Sequence, residues 1–152
     1  MSWDALDLSI TNSDAKRCWL YLHAMVLAAA NISKILWPSC LQAEQRRRTL
    51  RDMLGVPDKS VLMQKRLWNH LEHFDERIES MVVDDHNVID SNIGDLATIS
   101  LGHSVFLRNF DPRTQVLTFA GEVFEIKPLA DAALELRSSI ASLQCRLRHR
   151  QP

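Results

Sequence analysis

Lys65-Arg66-Leu67-Trp68-Asn69-His70-Leu71-Glu72-His73-Phe74-Asp75-Glu76-Arg77 is the stretch whose reading decides the fold. Its apolar residues Leu67, Leu71 and Phe74 continue into Ile78 and Met81 by steps of four, three, four and three, which is a one-sided helical stripe. At ~100° per residue, Leu71, Phe74 and Ile78 fall within ~40° of Leu67, so that side is expected in a core. Val56-Pro57-Asp58 precedes it as a short connection, and Asp58 or Ser60 can cap it. The pattern predicts a helix over about residues 59 to 81.

Two helices are expected upstream. Asn12-Ser13-Asp14 is a strong start signal, and Pro38 forces a stop after Trp37. The segment between is apolar on nearly every side, which places it in the centre of a bundle or in a large interface. His23, Asn31 and Lys34 interrupt it, which favours a buried core helix over a membrane span. A shorter helix opens at Ser39 or Cys40 and runs to Leu54, with Gly55 in the C′ role.

Downstream, residues 82 to 103 read as turn chemistry, a long loop holding Asp84-Asp85-His86-Asn87 and Asp90-Ser91-Asn92-Ile93-Gly94-Asp95. The period then changes to two. Ser104 to Phe110 and Gln115 to Ile126, separated by Asp111-Pro112-Arg113-Thr114, predict a β-hairpin, and Gly121 marks a bulge or a second turn. Pro128 suits the first turn of a last helix whose stripe is Leu129, Ala133, Leu136, Ile140, Leu143 and Leu147. The expected fold is therefore mainly α: a single domain over residues 1–152, built as a four-helix up-and-down bundle with a β-hairpin (about 104–126) inserted before the last helix.

Composition narrows the function. A net charge of -1 advertises no global field for nucleic acid or membrane, so any basic site must be local. Cys18, Cys40 and Cys145 are far apart and odd in number, which fits free thiols in a reducing cytoplasm. The N-terminal Met1-Ser2-Trp3-Asp4-Ala5-Leu6-Asp7 is acidic and lacks the basic region of a signal peptide. No glycine-rich phosphate loop or hydrolase elbow is present, and no cofactor is expected.

The third helix carries the candidate chemistry. Arg66, His70, His73 and Arg77 project between roughly -60° and -120° of Leu67, with Asn69 just beyond, along the edge of the buried stripe. Partly dry groups of these types can hold a phosphate: a histidine moves a proton and an arginine stabilises the extra negative charge. The bland alternative is a solvated flank in which Glu72 and Glu76 pair with neighbouring cations.

Arg66, Asn69 and His73, on one helix of a small helical bundle, resemble the HEPN superfamily. Its signature is an arginine, about four to six residues, then a histidine, often with asparagine directly after the arginine. Trp68-Asn69-His70-Leu71-Glu72-His73 is similar to the Arg-Asn-x-x-x-His form, with Trp68 standing where that form has arginine. The resemblance implies a cytoplasmic prokaryotic homodimer that binds RNA or cleaves it without metal in a cleft built from paired motifs. In that case His73 would be the acid/base, Asn69 the positioning group and Arg66 the charge stabiliser.

Other residues complete the candidate set. Arg46, Arg47, Arg51 and Arg77 would meet phosphates if RNA binds. His23 either bonds within the core or faces the His70/His73 strip to complete a polar pocket, and Glu72 is counted in the same polar strip. A metal site from His70, His73 and Glu76, with Asp84, Asp85 and His86 beyond and Glu44 on another helix, lacks a recognised ligand spacing, so no metal ligand is assigned. The apolar first helix suggests a homodimer, and a non-catalytic scaffold or interaction protein is the alternative to an RNA-directed enzyme.

Overall fold

The computed structural model describes residues 14–63, 66–83, 87–96 and 104–149. They form α1 (Ala15–Leu36), α2 (Leu41–Leu54), a 3-10 turn (Val61–Met63), α3 (Arg66–Glu72), α4 (Phe74–Val83), β1 (Asn87–Ile93), β2 (Ser104–Asp111), β3 (Val116–Phe119), β4 (Glu122–Glu125) and α5 (Ile126–Arg148). Five helices and a mixed sheet in the order β1-β2-β3-β4 overturn the expected four-helix bundle with a simple hairpin.

Three local causes account for the difference. First, Ala120 and Gly121 both take positive φ, 47° and 79°, which is the geometry of a two-residue hairpin turn. The turn divides the second expected strand into β3 and β4, paired from Val116↔Glu125 to Phe119↔Glu122. Second, the expected loop contains β1, which runs parallel to β2 from Asn87↔Ser104 to Ile93↔Phe110. As an edge strand it keeps Asn87 and Asp90 in solvent, so it tolerates residues that otherwise signal turns. Third, the helix expected over residues 59 to 81 is divided. Ser60 Oγ accepts from the Leu62 amide at the 3-10 turn, and α3 gives way to α4 at His73. The bonds His73 N to Asn69 O (3.0 Å) and Arg77 N to His73 O (3.1 Å) carry a helical pattern across that junction.

Other starts and stops agree with the sequence. The Asp14 carboxylate accepts from the Arg17 amide at 3.1 Å as the cap of α1, and Gly55 closes α2 in the left-handed region at φ 68°. Asp111 orders the turn after β2 by accepting from the Arg113 amide (2.9 Å) and the Thr114 hydroxyl (2.7 Å). The Thr114 hydrogen bond is the main cause holding the Asp111 carboxyl below its usual range.

The chain divides into two compact units. The sheet unit comprises Met1–Ala24 and Arg66–Lys127, and the helical unit comprises Met25–Lys65 and Pro128–Pro152. Leu107, Phe110, Leu117, Phe119, Phe124 and Leu67 are buried in the sheet unit. Fully burying side chains of this size contributes ~1.5–3 kcal/mol each. The helical unit has its own core of Ala29, Leu36, Trp37, Leu54, Leu62, Leu129 and Leu136. Among the described helices, α1 alone is long and apolar enough to cross a membrane, by length and composition. It buries Cys18, Leu22, Val26, Ala29, Ala30 and Leu36 and leaves Leu20, Leu27 and Ile35 exposed.

Candidate functional site

The polar strip of α3 meets the sheet unit at one carboxylate, Glu122. The Ala120-Gly121 turn places Glu122 at the start of β4, beside α3. One carboxylate oxygen (Oε2) accepts from the Arg66 guanidinium, and the other (Oε1) lies 3.2 Å from His70 Nε2. His70 is buried at 4 % exposure, with its ring 5.6 Å from that of Phe119 and 5.7 Å from that of Phe124. Its Nδ1 is buried without a hydrogen-bond partner. Arg66 is the solvated member, with 73 % of its side chain exposed, so that pair contributes under ~1 kcal/mol.

The three residues matched to the HEPN signature are not drawn into a dry pocket. Arg66, Asn69 and His73 are all exposed. His73 Nδ1 lies 3.2 Å from Glu76 Oε1, and about half of its side chain (51 %) is open to solvent. The expected partial burial along the core edge holds for His70 alone, because the ring contacts that dry the strip reach only that position. Arg77 and Glu72 are exposed, as are Asp75, Glu76 and Glu79. Carboxylates thus outnumber cations around the strip, which works against a polyanion.

His23 does not join the strip. Its Nε2 lies 2.6 Å from the Nη1 of Arg108, whose Nη2 donates to Asp90 at 2.9 Å. The Arg108 guanidinium sits 4.8 Å from the Trp19 ring centre and 5.9 Å from that of Phe74, a cation–π arrangement. Burial first, and then the positive charge of Arg108, hold the His23 pKa below its usual 6.5. Neutral His23 therefore accepts at Nε2 and carries its proton on Nδ1.

The arginines of α2 separate by burial. Arg46, Arg47 and Arg48 are exposed. Arg51 is buried at 2 % exposure, out of reach of a phosphate backbone. It donates to the Leu36 carbonyl (2.5 Å), Glu44 (2.6 Å) and Asp58 (3.1 Å), and its guanidinium lies 5.5 Å from the Trp37 ring centre. This expected RNA contact is instead a cap on the C-terminus of α1, where an orphan carbonyl and the negative end of the helix favour a cation.

Glu122, Arg108 and Asp90 were missed by sequence reasoning. Each lies in a strand, and Glu122 meets an arginine 56 positions away, so helical spacing gives no hint of the pairing. The one available signal is Gly121, whose turn fixes what stands beside it. Among the described residues no group of three or more His, Cys, Asp or Glu side chains is placed to hold a metal ion. Asp84, Asp85 and His86 lie outside the described residues. Comparison of the chain with family models, curated proteins and solved structures gives no match.

Proposed function

We propose that this chain is a non-catalytic helical interaction protein whose polar strip is structural. The observation that carries the reading is the capture of Arg66, His70 and His73 by carboxylates of the same unit. Glu122 holds Arg66 and His70, and Glu76 holds His73. An arginine that stabilises a phosphoryl transition state, and a histidine that moves its proton, must meet the substrate with those positions open. The second support is apolar. The helical unit completes a core and still exposes Leu27, Ile35, Leu41, Met53, Met63, Ile140 and Leu147, apolar surface that a partner would take out of water.

A second reading, metal-independent RNA cleavage of the HEPN type, is favoured by one observation: Arg66, Asn69 and His73 are all exposed and could face a second copy. Incubation with mixed RNA in EDTA separates the two, run beside His73→Ala. The interaction reading expects no difference between the proteins. Cleavage that disappears in His73→Ala would replace it with the nuclease reading.

A further inference from the structure

We propose that the C-terminal half of α5 docks an acidic amphipathic helix of a partner protein. The inference deepens the interaction reading and rests on it. Leu129, Ala133, Leu136, Ile140, Leu143 and Leu147 step by four, three, four, three and four, the repeat of a coiled-coil seam. The structure divides this one stripe in two. Leu129 and Leu136 are each only 6 % exposed within the helical unit, whereas Ile140 is 39 % and Leu147 50 % exposed. Leu143 between them is half-buried against the same core. The seam therefore runs out of cover while its repeat continues, and a helix of matching repeat is the shape that fits it.

Charge selects the occupant. From Leu136 to His149 the sequence has no acidic residue, while Arg137, Arg146 and Arg148 are all exposed. With Leu136 and Leu143 at d, and Ile140 and Leu147 at a, Arg137 stands at e and Arg146 at g. These positions flank the seam and meet the partner's own flanks. A helix with Glu or Asp there neutralises both. A second copy offers these arginines no carboxylate, since it too has none from Leu136 to His149. A nucleic acid would satisfy the arginines but cannot cover Ile140 and Leu147. A bilayer needs a broader apolar face than a seam bordered by Ser139 and Gln144.

The test uses the full chain and two labelled synthetic four-heptad peptides with Ile at a and Leu at d, one with Glu and one with Lys at every e and g. Like charges keep each peptide from pairing with itself. Fluorescence anisotropy should show the Glu peptide binding at least ~10-fold tighter than the Lys peptide, with affinity falling as salt is raised. Leu147→Glu should weaken the Glu peptide ~10-fold or more, and an unchanged circular dichroism spectrum should show that the fold survives. Equal affinity for both peptides, no binding, or binding indifferent to Leu147→Glu overturns the proposal. So does a concentration-dependent dimer in sedimentation that Leu147→Glu abolishes, which assigns the seam to a second copy. Binding to phosphatidylserine vesicles or RNA that the same substitution abolishes overturns it as well. His73-dependent RNA cleavage would sink the non-catalytic reading separately and leaves the peptide result as a distinguishable outcome.

Discussion

The two units treat charge and apolar surface in opposite ways. In the sheet unit, cations are held by carboxylates and rings: Arg66 and His70 on Glu122, and Arg108 on Asp90 over Trp19. Its large exposed apolar side chains among the described residues are only Leu20, Ile89 and Val123. Among its described residues the helical unit gathers its buried charge at one arginine, Arg51, and exposes nine such side chains, from Leu27 to Leu147. Cations already paired, as Arg66 and Arg108 are, have little electrostatic free energy left for a ligand. A unit that leaves apolar area in water gains ~25 cal/mol for each Å² a partner covers. The contrast supports the proposal that binding falls to the helical unit.

The largest expected effect breaks the helical side of the comparison. Arg51→Ala removes the cap on Leu36 and the charged hydrogen bonds to Glu44 and Asp58, at a cost of ~2–4 kcal/mol in urea unfolding followed by tryptophan fluorescence. A loss under ~1 kcal/mol would mean that the hub is solvated and the contrast overstated.

The sheet unit should yield less at its own arginine. Arg108→Ala strips the charged hydrogen bonds to His23 and Asp90, and urea unfolding should report a loss of ~1.5–3 kcal/mol. The same cluster predicts a pH response. His23 has a folded pKa below its usual 6.5, so the unfolded chain binds its proton first as pH falls. The stabilisation from neutral His23 is complete above 6.5 and is lost as pH drops from there through the folded pKa. Urea midpoints should fall over that window, and His23→Gln should flatten the fall. A midpoint that rises instead contradicts a lowered folded pKa at His23.

Smaller effects sharpen the comparison. Glu122→Gln leaves His70 with a neutral partner and should cost ~1 kcal/mol. His73→Ala, at a half-exposed side chain paired only with Glu76 among the described contacts, should change stability by less than ~0.5 kcal/mol. A larger effect at position 73 than at 122 would mean that the strip is organised around the histidine and not around the carboxylate.

Legibility in the sequence tracked the range of the physics involved. Local signals held: the Asp14 cap, the stop before Pro38, the left-handed Gly55 and the turn at Asp111 all act within a few residues. Signals that depend on a distant partner did not. β1 is an edge strand written in turn-forming residues, and its parallel partner announces no hairpin. Arg51 lay within a basic run, and only its distant contact with Leu36 shows that it is buried. His23 was expected either in the core or at the α3 strip, and its partner Arg108 lies 85 positions away. The stripe on α5 was legible as a pattern. Where it loses its cover is a property of the packed unit, with Ile140 and Leu147 continuing a seam that Leu136 closes.

The most direct test of this division is amide hydrogen exchange across the full chain with and without the Glu-flanked heptad peptide. The account predicts new protection from Arg137 to Arg148 and unchanged exchange from Arg66 to Arg77. Protection over Arg66 to Arg77, or none along the second half of α5, would contradict it.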